Sequence, residues 1–160
     1  MHPVSSIAIN DTYMAVTAAN SMVSVVAWDQ RDKLTTINEC YNKGEAVTLF
    51  FKGKLSSQEN ENMQVLFFSP SGILSKLSLV PGITYDKLLI LQQTIVSSIS
   101  KQNSKRFKSY WANTEQPCLD GDIFATFLSL PDETQREIFN RTKISVSFEK
   151  IVDLINETVL

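Results

Sequence analysis

Two closely spaced carboxylates in this chain could take part in metal binding or catalysis. Asp120 and Asp122 flank Gly121, and paired acids of this kind can bind a metal ion or exchange protons with a substrate. The alternative, which we favour, is structural, because Asp120 stands before an apolar helical pattern and can cap that helix. The single histidine is His2, next to the N-terminal residue, so a Ser-His-Asp or Cys-His arrangement has little support. We assign Asp120, Gly121 and Asp122 to helix capping and predict no catalytic residue.

Metal and cofactor motifs are missing from the sequence. The two cysteines, Cys40 and Cys118, do not form a CxxC pair, which favours reduced thiols over a zinc site or a disulfide framework. Neither a GxGxxG motif nor a P-loop is present. We therefore predict that the chain is not an enzyme and that it binds no cofactor and no metal.

A basic stretch with interleaved aromatic residues could contact nucleic acid. Its cations are Lys101, Lys105, Arg106 and Lys108, with Phe107, Tyr110 and Trp111 among or after them. Basic side chains neutralise phosphates and aromatic rings stack on bases. The alternative is a solvated helix face whose aromatic residues enter the core. The net charge of −2 and the pI near 5.4 favour this alternative.

Apolar residues in the N-terminal half allow two interpretations. They are Val47, Leu49, Phe51, Phe67 and Phe68. Most of them are expected in the core or between packed sheets. Some could instead line a groove for the apolar stripe of a partner helix. Position by position, the core is the favoured interpretation.

The predicted secondary structure changes from strands to helices near Pro81-Gly82. Before this point, short apolar segments separated by turn residues predict seven strands, near residues 4–9, 13–18, 22–28, 34–37, 46–51, 65–68 and 73–79. After it, the apolar residues take helical spacing. Thr84, Asp120, Pro131 and one of Ser145 or Ser147 are the predicted helix N-terminal residues.

Short strands at this cadence are typical of a sandwich, a barrel or a propeller. We predict a mixed fold, β then α, in which residues 1–81 form about two blades of a partial β-propeller and residues 82–160 form a C-terminal helical domain. Two blades cannot close a ring, so we expect a fragment of a longer protein or a part of a larger assembly. No apolar run reaches the ~20 residues that cross a bilayer, and no signal peptide is evident. We therefore expect no membrane partner.

Several segments, taken in order, resemble the C-terminal region of the large subunit of the damaged-DNA-binding protein and of related scaffolds, including the large cleavage-and-polyadenylation scaffold. The resemblance runs through Val65-Leu66-Phe67, Ser71-Gly72-Ile73, Leu88-Leu89-Ile90-Leu91-Gln92 and Phe107-Lys108-Ser109-Tyr110-Trp111. Its most specific segment is Leu119-Asp120-Gly121-Asp122-Ile123, followed by Phe127-Leu128. With weaker matches upstream, it covers nearly all of the chain.

This resemblance implies the end of a three-propeller scaffold and a nuclear location, with the cytoplasm as a further possibility. The implied partners are the remainder of the parent propeller chain and substrate-receptor or scaffold proteins that dock by helices, with nucleic acid only indirect. Family positions that line the receptor pocket fall on Ala46, Thr48 and Pro70. Ala46 replaces a bulky aromatic residue and Thr48 an amide, which indicates a divergent fungal-type paralogue acting in heterochromatin silencing or replication repair.

The leading functional hypothesis is a non-enzymatic adaptor that binds partner proteins in a cullin-RING ubiquitin ligase acting in chromatin silencing or DNA repair. One alternative is a scaffold of the pre-mRNA 3′-end cleavage and polyadenylation machinery. The other is a nucleic-acid-binding protein that uses the basic stretch at residues 101–108.

Overall fold

Seven strands precede four helices in the part of the chain that the computed structural model describes, which is residues 3–18, 22–28, 34–41, 47–53, 64–108 and 118–158. The strands are β1 (Pro3–Ala8), β2 (Tyr13–Ala18), β3 (Met22–Trp28), β4 (Leu34–Tyr41), β5 (Leu49–Lys52), β6 (Gln64–Phe68) and β7 (Leu74–Ser78). The helices are α1 (Gly82–Lys108), α2 (Gly121–Leu128), α3 (Asp132–Arg141) and α4 (Phe148–Thr158). The described residues up to Leu79, with Cys118, belong to one compact unit, and the others belong to a second.

The first sheet is an antiparallel meander in the order β1-β2-β3-β4. An asparagine turn joins its first two strands, since Asn10 Oδ1 accepts the backbone N–H groups of Thr12 at 2.9 Å and Tyr13 at 2.8 Å. A side-chain amide that binds the backbone in this way replaces a backbone turn. In β3, Val23 and Val25 lie in the apolar core, and the alternate residues Ser24 and Val26 are buried as well, so both faces of this strand are covered.

The second sheet is antiparallel in the order β5-β6-β7. A tight turn joins β6 to β7, in which the Gly72 N–H donates to the Ser69 carbonyl at 3.0 Å. Gly72 has a φ of +86°, a backbone conformation that glycine adopts without a steric penalty. The turn aligns Phe68 opposite Leu74 and sets the pairing of both strands.

The two sheets share one apolar core. The first contributes Ala15, Val23 and Val25 with the adjoining Ile9, and the second contributes Phe50, Val65 and Phe67 with the adjoining Val47. Phe50 and Phe67 lie opposite each other on neighbouring strands, with ring centroids 6.0 Å apart and planes at 67°. This edge-to-face geometry is the favourable one for aromatic pairs.

The prediction of propeller blades is wrong. The described strands form two small antiparallel sheets, one of four strands and one of three. The sheets bury side chains in a shared core, and four helices follow, which makes a small mixed α/β architecture. The strand cadence fits a sandwich as well as a propeller, because hairpin spacing specifies the pairing of neighbours and not the packing of sheets.

The helical unit closes around a core of its own. On α1, Leu88, Leu91 and Ile95 recur at helical spacing and are buried. They pack with one cluster from the other three helices: Ile123, Phe124, Phe127, Ile138, Phe139, Ile151 and Ile155. No helix within the described ranges is long and apolar enough to span a membrane.

Two predicted helix starts have different outcomes. Thr84 is not an N-cap, because α1 begins at Gly82 and the Tyr85 N–H already donates to the Pro81 carbonyl at 2.8 Å. Ser147 precedes α4, and its Oγ accepts the Lys150 N–H at 3.3 Å, which is the bond of a serine cap.

Candidate protein-binding surface

The predicted groove residues fall at one end of the second sheet. The Thr48 N–H and Oγ1–H both donate to the Phe68 carbonyl, at 2.9 and 3.1 Å. Pro70 follows Phe68 by two residues and is exposed in the β6–β7 turn. The structure therefore brings Thr48 and Pro70 to the same end of the sheet, while Ala46 lies outside the described residues.

The basic stretch lies in the last turns of α1. The backbone of Lys101, Lys105, Arg106 and Lys108 is helical, and their side chains lie outside the described part of the chain. A phosphate-binding geometry therefore stays a prediction of the sequence.

The paired carboxylates are held in a backbone cap. Asp120 is the N-cap residue of α2, and its Oδ1 accepts the Asp122 N–H at 2.9 Å. The Asp120 N–H in turn donates to Oε1 of the buried Gln92 at 2.7 Å, which ties the start of α2 to α1. Within the residues that the structure describes, no group of three His, Cys, Asp or Glu side chains could hold a metal ion.

A surface that the predicted site residues do not include lies on the second sheet. The strand register places Leu49, Phe68 and Leu74 in one row and Phe51, Leu66 and Lys76 in the next. Directly opposed residues of an antiparallel sheet share a face, and residues two apart on a strand share it as well. We call these six side chains the outer face, since the core residues Phe50, Val65 and Phe67 alternate with them.

The outer face is apolar and accessible. Leu49 is 48% exposed, Phe51 44% and Leu74 42%, and the adjacent Ile73 is also exposed. Leu66 and Phe68 are half-buried between them. The rings of Phe51 and Phe68 meet edge to face, with centroids 5.6 Å apart. Contiguous apolar side chains on a protein surface mark interaction sites, whereas isolated ones are common and need no explanation.

The outer face carries one charged side chain, Lys76. Lys52 is exposed but pairs with the core residue Val65, so its side chain lies on the other side of the sheet. Lys76 is partly buried in its row, and this burial lowers the pKa of its ammonium group below the ordinary value of 10.5. The outer face is thus apolar except for one partly buried cation.

Other apolar features of the described residues are smaller. Ile83 and Ile90 are exposed on α1, but the exposed residues between and beyond them, Asp86 and Gln93, are polar. A recess lined by Ile95, Val96, Ile99, Ile123 and Thr126 has a volume of about 10 Å³, no more than one water molecule needs. Neither feature offers an extended surface for a partner or a cavity for a small molecule.

The sequence contains a pattern that indicates the outer face. Leu49, Phe50 and Phe51 are consecutive, as are Phe67 and Phe68, and consecutive apolar residues in a strand supply both faces of a sheet. Val47 and Phe67 are in the core, as the favoured interpretation predicts, whereas Leu49 and Phe51 are exposed. The sequence pattern does not reveal the strand register, which places the exposed residues in rows.

No protein-family model matches the chain, and neither does any curated protein. The candidate surface is therefore defined by its own geometry: two rows on one face of β5-β6-β7, apolar at five of six positions and basic at the sixth.

Proposed function

We propose that this chain is a non-enzymatic protein-binding module that docks a partner on the outer face. One observation carries the proposal: five apolar side chains, three of them more than 40% exposed, lie in register on one side of a three-stranded sheet whose other side is already in a core. Burying such surface is favourable by about 25 cal/mol for each Å² removed from water. A partner that covers the outer face would gain this free energy.

A scaffold or adaptor role in a cullin-RING ubiquitin ligase, acting in the nucleus in chromatin silencing or DNA repair, is the finer proposal. It is supported by the ordered resemblance of segments from Val65 to Leu128 to the damaged-DNA-binding scaffolds. It is also supported by the position of Thr48 and Pro70 at the end of the sheet where Leu49 pairs with Phe68. The polyadenylation scaffold is the alternative within the same resemblance.

Nucleic-acid binding through residues 101–108 is the alternative from another class. Because contacts to phosphates release counterions, binding of this kind weakens steeply as salt rises. A titration of single-stranded RNA and duplex DNA at several salt concentrations tests it. Absent or salt-insensitive binding would remove this alternative.

Site-specific photocrosslinking in cells that express the chain tests the proposed function. Phe51 is replaced by p-benzoylphenylalanine, and the matched control carries the same probe in place of Ile83, which is 77% exposed on α1. We expect a discrete crosslinked protein for position 51 and none for position 83. The double substitution Leu49→Thr and Leu74→Thr should abolish the crosslink, because it removes apolar contacts on both sides of Phe68.

The identity of the crosslinked protein separates the finer proposals. Substrate receptors or ligase subunits would support the adaptor, and polyadenylation factors would support the alternative. Equal crosslinking at positions 51 and 83, or a crosslink that persists in the double variant, would contradict docking on the outer face.

A further inference from the structure

We draw no further inference here: the strongest candidate, the apolar outer face of β5-β6-β7, already carries the proposed function, and nothing in the residues that the structure describes shows which kind of partner covers it.

Discussion

The two compact units of this chain differ in how completely their apolar side chains are buried. In the helical unit, the stripes of all four helices meet in one core, and buried polar groups such as Gln92 and Gln135 bind backbone atoms. In the sheet unit, β5-β6-β7 has apolar residues on both faces, and the core takes one of them. The helical unit buries the apolar stripes of its helices in its own core, whereas the sheet unit has an apolar face that stays exposed and that a partner can cover.

The difference follows from the periods of the two structures. Helical spacing collects apolar residues into one stripe, and one neighbour is enough to cover it. A strand with consecutive apolar residues, such as Leu49-Phe50-Phe51, presents them to both sides and needs two neighbours. Consecutive apolar residues in a strand therefore indicate either a fully buried strand or a binding face, and the exposure of the second side decides between them.

The largest expected effect is the difference in free energy of unfolding between a Phe→Ala substitution in the helical unit and one in the sheet unit. Phe124→Ala removes a buried ring from the helical core and should lower the free energy of unfolding by about 3–5 kcal/mol. Phe51→Ala removes an exposed ring whose described ring contact is with Phe68, and should cost about 0.5–1.5 kcal/mol. Urea unfolding followed by circular dichroism measures both. Similar losses at the two positions would mean that Phe51 is packed and not available to a partner.

A pair of adjacent glutamines on α1 tests the polar part of the helical core. Gln92→Leu removes the acceptor of the partly buried Asp120 N–H, and the loss of this hydrogen bond should cost about 1 kcal/mol. Gln93→Leu changes an exposed neighbour and should stay within about 0.5 kcal/mol of the wild type. The same urea titration compares them. If Gln92→Leu were neutral, the amide would not bind the start of α2 in solution.

The cap of α2 gives an effect of similar size. Asp120→Ala removes the side-chain acceptor of the Asp122 N–H and should lower stability by about 1 kcal/mol. Asp120→Asn keeps an acceptor oxygen and should lose clearly less. Thermal unfolding of the two variants measures the difference. Loss of stability in the asparagine variant as large as in the alanine variant would show that the negative charge, and not the cap, is what stabilises this end.

Glu149 in the helical unit should stabilise the fold at neutral pH. Its own backbone N–H, followed by the Arg136 side chain at 3.1 Å, holds the pKa of this carboxyl below 4.5. A lowered folded-state pKa gives stability that is present above 4.5 and is lost as the pH falls through the folded value. Wild type and Glu149→Gln should therefore converge in stability as acid is added. A stability difference that does not change with pH would contradict this linkage.

Lys76 in the sheet unit should show linkage of the same sign as Glu149, since its pKa is also lowered on folding, but in the alkaline range and with the smallest effect. Because burial lowers its pKa below 10.5, the charged form is disfavoured in the folded chain at neutral pH. This penalty is relieved as the pH rises through the folded value towards 10.5. The stability of Lys76→Met relative to wild type should therefore be greater at pH 7 than at alkaline pH, by no more than about 0.5 kcal/mol given solvent screening. Urea titrations at several pH values measure this change, and a difference that does not vary with pH would contradict it.

Local structure is the part of this molecule that the sequence predicts well. Each of the seven predicted segments overlaps an observed strand, because β-branched and aromatic runs between turn residues act over short distances. Asp120 is an N-cap residue for the same reason, since its acceptor and its donor are two residues apart. α1 starts at Gly82, three residues before the start that a Thr84 N-cap would give.

Long-range assembly is the part that the sequence does not predict. The propeller prediction is wrong because strand spacing does not determine how sheets pack. The candidate surface depends on the alignment of Leu49, Phe68 and Leu74 across three strands. A shift of one residue would turn every side chain to the other face. Consecutive apolar residues indicate that two faces exist, and the register shows which residues share each of them.

Mapping of amide chemical shifts during a titration with an amphipathic peptide that carries leucines at helical spacing gives the sharpest test of docking on the outer face. We predict shift changes in β5, β6 and β7, largest near Leu49, Phe51 and Leu74, with α2, α3 and α4 unaffected. Shift changes centred on the helices, or none in the three strands at saturating peptide, would contradict a docking surface on the outer face.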